Sequence, residues 1–162
     1  YESIPLDADN MRMDIFEDRI KKLAKRSNPP EIVYALPNFQ NPAGVTMPEK
    51  NRKRLVELAS EYDFIILEDD PYGELRYVGE HIRPIKSFDD EDRVVYMSTF
   101  SKILSPGLRV GWVVAPEDIL KKLVVCKQST DVCTNVLGQR VALAPQGRAL
   151  RTARASLRAE VS

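Results

Sequence analysis

The chain has 162 residues, enough for one domain with a real core, and its 43% hydrophobic and 30% charged residues are ordinary for a globular protein. Its 24 basic and 24 acidic residues cancel, so no net field draws it to nucleic acid or an anionic membrane, and any anion site must be built locally. No apolar run approaches the roughly 18 residues of a membrane span and no basic-then-apolar leader opens the chain, so the expected location is cytoplasmic.

In chain order, Asp14 to Lys25 reads as a helix with Phe16, Ile20 and Leu23 on one face. Ile32 to Leu36 is a short apolar strand stopped by Pro37. Thr46-Met-Pro-Glu49 has the pattern of a capping box, and the helix it opens carries Leu55, Ala59 and Tyr62 on its core face. Phe64 to Leu67 is a continuous apolar run suited to a strand buried on both faces, ending at Glu68-Asp69-Asp70. Val94 to Met97 and Val110 to Ala115 read as further strands, and Glu117 to Ser129 and Val136 to Ala144 as helices. This alternation predicts an α/β fold, a mostly parallel sheet covered on both faces in three α-β-α layers.

The remaining composition bounds the chemistry. Cys126 and Cys133, the only cysteines, would lie about 10 Å apart on a helix, too far for a disulfide, and are expected as buried free thiols. His81 is the single histidine, in a polar stretch, so a His-rich metal site is excluded and no metal is expected. The chain opens at Tyr1 without Met, and residues 145–162 alternate arginines with Ala and Ser without a clean helical stripe. The expectation is a partial chain: residues 1–144 from a larger domain, and residues 145–162 a basic tail, disordered or foreign to the preceding fold.

In open parallel sheets ligands bind at the carboxyl ends of the strands, and there the polar residues gather. The densest segment, Ser98 to Arg109, combines the hydroxyls of Thr99 and Ser101, a Pro106-Gly107 turn and the fork of Arg109, a set suited to a phosphate. Lys102 sits among them, and an uncharged lysine amine can add to a carbonyl. The competing reading makes Lys102 and Arg109 solvated loop charges. A carboxylate ending an apolar strand is costly unless paired, so Asp69 calls for a cationic partner such as a protonated ring nitrogen. Tyr72 could then donate to an oxygen on the same ring, while Asp70 and Pro71 read as turn residues. Asn41, within Asn38 to Gly44, could present its amide to that oxygen, although the segment alone is also a turn.

Together, Asn-Pro-Ala-Gly (41–44), Glu-Asp-Asp-Pro-Tyr-Gly (68–73) and Thr-Phe-Ser-Lys-Ile-Leu-Ser-Pro-Gly-Leu-Arg-Val-Gly-Trp (99–112) resemble the class I/II aminotransferases, fold-type-I enzymes that use pyridoxal 5'-phosphate. The resemblance is to the 2-aminoadipate and kynurenine aminotransferase-like branch and runs from about Tyr1 to Ala144. It implies that residues 1–144 are part of the cofactor-binding large domain, incomplete at its N-terminal side and lacking the small domain. It implies catalytic roles for Lys102 as the Schiff-base lysine, Asp69 as partner of the pyridinium nitrogen and Tyr72 on the ring oxygen. It implies cofactor contacts from Asn41, Asp69, Tyr72, Thr99, Ser101, Lys102 and Arg109. The substrates would be an amino acid and a 2-oxo acid, with no nucleic acid or membrane partner. The parent would be a homodimer, and the isolated chain is expected to be inactive. Two alternatives stand beside this. One is the aminotransferase-like effector domain of a winged-helix transcription regulator, disfavoured by Asp-Asp-Pro-Tyr and Asn-Pro-Ala-Gly. The other is a lyase or related enzyme on the same cofactor scaffold.

Overall fold

A computed structural model describes residues 2–144. It opens with a hairpin absent from the sequence expectation, β1 (Leu6–Asp7) paired antiparallel with β2 (Asn10–Met11). Asn10 takes the left-handed backbone at φ 74°, which asparagine tolerates better than most residues, and its side chain donates to the Leu36 carbonyl at 3.0 Å. Helix α1 (Met13–Lys25) buries Phe16 and Ile20, with Phe16 edge-on to Phe64 at 6.0 Å between ring centres.

The main elements follow as β3 (Ile32–Ala35), α2 (Glu49–Tyr62), β4 (Ile65–Asp69), β5 (Val94–Thr99), β6 (Gly111–Val114), α3 (Glu117–Thr130) and α4 (Val136–Leu143). Four strands form one sheet in the order β3-β4-β5-β6. The β3-β4 and β4-β5 pairs are parallel, and β5-β6 is antiparallel. The expected α/β fold with a mostly parallel sheet is therefore present. The antiparallel edge follows from chain length: Phe100 to Val110 is too short for the crossover of a dozen or more residues that a parallel partner needs.

Register sorts the residues onto two faces. Val33 and Ala35 lie beside Ile66 and Glu68, which lie beside Val94 and Tyr96. Against this face pack α1, α2 and the 3-10 turn Ile85–Phe88, giving a core that includes Leu55, Leu58, Ile66, Ile85 and Val94, all 0% exposed. The opposite face carries Ile32, Tyr34, Leu67, Asp69, Met97 and Val113, with Ile32 and Tyr34 each 56% exposed. Helix α3 buries no residue, and α4 only Gly138 and Ala142. Helices thus close one face of the sheet within residues 2–144, as befits an incomplete α/β domain. Gly138 admits α4 to the 108–110 backbone, since a Cβ there would stand 3.0 Å from the Leu108 carbonyl oxygen.

Two local expectations are corrected. Helix α2 has Pro48 as its N-cap and no side-chain cap. The Thr46 hydroxyl instead accepts the Phe39 N–H at 3.1 Å, claimed by the turn that precedes the helix. Cys126 and Cys133 are both exposed rather than buried, and α3, which carries Cys126, has no buried residue. Residues 145–162 lie outside the described part of the chain.

Candidate functional site

Three turns leave the carboxyl ends of β3, β4 and β5 on the same edge of the sheet, because those strands run parallel. The first turn, 37–47, contains Asn41, whose peptide bond to Pro42 is cis and whose side chain is exposed. The second contains Asp69, Asp70 and Tyr72. Asn41 and Tyr72 line one open cleft of about 410 Å³ together with Phe39, Pro42, Leu75 and Tyr77.

The carboxylates at the end of β4 differ sharply. Glu68 is fully buried and accepts the N–H groups of Ile85 at 2.7 Å and Lys86 at 2.8 Å. Burial pushes its carboxyl up to about 7 against the opposing pull of those two donors. Asp70 is buried in its turn, accepting Asn38 Nδ2 and the Gly73 N–H at 2.9 Å each, which is the turn role expected of it. Glycine at 73 leaves room for this pair: a Cβ there would fall inside contact distance of both Asp70 oxygens and stand 2.9 Å from Asn38 Nδ2, so those side chains would have to shift.

Asp69 is half-buried on the open face, where its partner among the described residues is the Tyr34 phenol, donating to Oδ2 at 2.7 Å, rather than a cation. Its Oδ1 accepts no hydrogen bond from the described residues. Tyr34 as a whole is exposed, and Asp69 and Tyr72 act on its hydroxyl. Partial burial, then the hydrogen bond and charge of Asp69, with a smaller effect from Tyr72, push that phenol up to about 12.

The third turn follows β5. The Ser101 N–H donates to Thr99 Oγ1 at 3.0 Å, and the two hydroxyl oxygens stand 2.9 Å apart, so one local loop holds both. Thr99 Oγ1 also reaches the Val110 carbonyl at 3.2 Å, pinning the return of the chain. Lys102 is exposed in the turn closed by the Leu104 N–H to Phe100 O bond. Arg109 is exposed in left-handed backbone at φ 53°, a conformation costly for a bulky side chain. Its nearest partner is the Pro106 carbonyl at 3.5 Å. No hydrogen bond or ion pair among the described residues joins Lys102 or Arg109 to Asn41, Asp69 or Tyr72.

The first two turns are locked together by a residue the sequence reading passed over. Arg52 of α2 is 0% exposed and donates to the carbonyls of Met47 at 2.9 Å and Arg83 at 2.8 Å, and to Asn38 Oδ1 at 2.7 Å. Asn38 passes the connection to Asp70, and the Ser98 hydroxyl donates to the Asp70 carbonyl at 2.7 Å, so β5 is tied in as well. The signal was present: Arg52, Leu55 and Ala59 follow i, i+3, i+7 spacing, placing a cation in an apolar stripe. Nearby, Tyr96 reaches Asp70 Oδ2 at 3.5 Å, and burial followed by the Asp70 charge pushes its phenol up to about 12.

Among the described residues, no helix is long and apolar enough to cross a membrane, and no three His, Cys, Asp or Glu side chains group as metal ligands. Residues 3–159 match the family model described as aminotransferase class I and II. The chain is 56% identical over 142 residues to aromatic-amino-acid aminotransferase 1 of Thermococcus litoralis, covering 88% of this chain and 34% of that protein. It superposes on a Pyrococcus horikoshii kynurenine aminotransferase, solved in complex with PMP, with TM-score 0.94 and 52% identity over 98% of this chain and 39% of that one. An HTH-type transcriptional regulator of Bacillus subtilis is 32% identical over 136 residues, 84% of this chain and 27% of that protein. The chain therefore spans about a third of the length of the curated relatives it matches.

Proposed function

Because the chain belongs to the class I and II aminotransferase family, we propose that it forms part of the large domain of a pyridoxal 5'-phosphate-dependent enzyme that moves an amino group between an amino acid and a 2-oxo acid. Residues 1–144 belong to that domain in this reading. The bound cofactor supplies an electron sink for negative charge at the substrate Cα.

The observation that carries the reading is Asp69. Its carboxylate closes a parallel strand at the ligand-binding edge, keeps one oxygen on a neutral phenol and leaves Oδ1 for a cation such as a pyridinium nitrogen. The neighbouring donors fit the rest of the group. Tyr72 and Asn41 face a common cleft with side chains that make no hydrogen bond within the described residues, suiting them to a ring oxygen. The paired hydroxyls of Thr99 and Ser101 and the open fork of Arg109 suit a phosphate. Lys102 would hold the cofactor through Nζ and, when released, keep a proton at that atom and return it.

The greater identity to the aminotransferase, 56% against 32% for the regulator, supports the enzyme over the effector-domain reading. The family resemblance further implies a cytoplasmic homodimer, and the isolated chain is expected not to turn over substrate. The names of the relatives make aromatic amino acids and kynurenine the first donors to try.

The test is to incubate the whole protein carrying this chain with pyridoxal 5'-phosphate, reduce with borohydride and map the adduct by peptide mass spectrometry. A single adduct at Lys102 that disappears in Lys102→Ala supports the proposal. Labelling scattered over many lysines and unchanged in the variant would refute it.

A further inference from the structure

Tyr34 lies on the open face of the sheet, opposite Leu67 in the parallel register, so its side chain reaches diagonally across β4 to the residue two places on. That residue is Asp69, and the Tyr34 hydroxyl donates to its Oδ2 at 2.7 Å. Resting on the functional reading above, we propose that Tyr34 is a positioning residue for the cofactor: it holds the Asp69 carboxylate in one orientation, with Oδ1 turned toward the ring nitrogen.

Three observations separate this from a structural role. Within the described residues Tyr34 is 56% exposed and faces away from the core built on the other side of the sheet, so that core does not depend on its ring. Its hydroxyl makes one hydrogen bond, and that bond is to a charged acceptor, the stronger class. Asp69 accepts no other hydrogen bond from the described residues, so without Tyr34 its side chain is free to rotate about χ1 and χ2. A carboxylate free to turn pairs less well with a fixed ring cation, because orientation is what the surrounding protein supplies. The partly desolvated phenol stays protonated through the neutral range and so remains a donor.

The experiment compares Tyr34→Phe with Ile32→Ala in the holo form of the whole protein. Within the described residues Ile32 is equally exposed on the same face, two residues earlier on β3 and opposite Ile65 in register. Four readouts are needed: the melting temperature, borohydride trapping at Lys102, the rate of cofactor release on dilution, and kcat separately from KM. The expected result for Tyr34→Phe is an unchanged melting temperature, retained trapping, cofactor release about tenfold faster and kcat about tenfold lower with KM little changed, as for the loss of one hydrogen bond to a charge. Ile32→Ala should match the parent in all four. Release and kcat unchanged in Tyr34→Phe, with trapping intact, would overturn the role of Tyr34 while leaving the functional reading standing. Loss of the fold in Tyr34→Phe would make the residue structural and also overturn it. Failure of the unmodified protein to trap cofactor at Lys102 would remove the functional reading itself, and this proposal with it.

Discussion

The two faces of the sheet carry different kinds of residue although the same strands supply both. On the closed face, Ile66, Glu68 and Val94 are 0% exposed, and even the carboxylate is satisfied by backbone donors. On the open face, Ile32 and Tyr34 are more than half exposed, and Asp69 keeps an oxygen without a hydrogen-bond partner among the described residues. Period-2 alternation puts successive residues on opposite faces, so Glu68 and Asp69, adjacent in sequence, meet opposite fates. Polar groups on the closed side are consumed by the fold, whereas on the open side Asp69 keeps Oδ1 without a hydrogen-bond partner among the described residues.

That contrast can be broken by substitution. Arg52→Met should have the largest effect, about 4 kcal/mol, because it strands the Met47 and Arg83 carbonyls and the Asn38–Asp70 link in a buried setting. Denaturant unfolding measures it, and the same variant should loosen the turns that carry Asn41 and Tyr72. Ile66→Ala removes a fully buried side chain from the closed face and should cost about 3 kcal/mol in the same assay.

Asp89→Asn is a smaller break. Asp89 accepts the Arg93 N–H at 2.8 Å, the Val94 N–H at 3.0 Å and the Lys86 ammonium at 2.7 Å, closing the turn that feeds β5. Burial alone would raise its pKa, but Lys86 and the two N–H donors prevail and hold it below the ordinary aspartate value. A lowered carboxyl pKa stabilises the fold above the unfolded value and loses that contribution as pH falls through the folded one. The variant should therefore cost about 1–2 kcal/mol near neutral pH, and unfolding curves repeated in acid should show the gap narrowing. At the far end of the scale, Ile32→Thr on the open face should shift stability by no more than about 0.5 kcal/mol. A cost like that of Ile66→Ala would mean the open face is covered after all.

Much of this was legible in the residues. The helical stripe of Phe16 and Ile20 and the apolar runs of β4 and β5 mark elements whose period or continuity is local information. The three polar turns were also legible as candidates, since each follows an apolar strand. Long-range competition decided the rest. Thr46 looked like a helix cap until the Phe39 N–H claimed its hydroxyl. Arg52 was passed over, and the carbonyls that accept from it come from loops 5 to 31 residues away in the chain. Tyr34 read as a strand residue, and nothing nearby in sequence announces an acceptor 35 residues on.

What the sequence determined by itself was the order of the main helices and strands from α1 onward, the α/β class and the family, because hydrophobic period and ordered motifs are written along the chain. Only the tertiary structure decided the exposure of Cys126 and Cys133, the backbone donors that satisfy Glu68 and the phenol that meets Asp69. Exposure and hydrogen-bond partnership depend on which distant groups arrive at a side chain, and that is known only once the strands are laid beside one another.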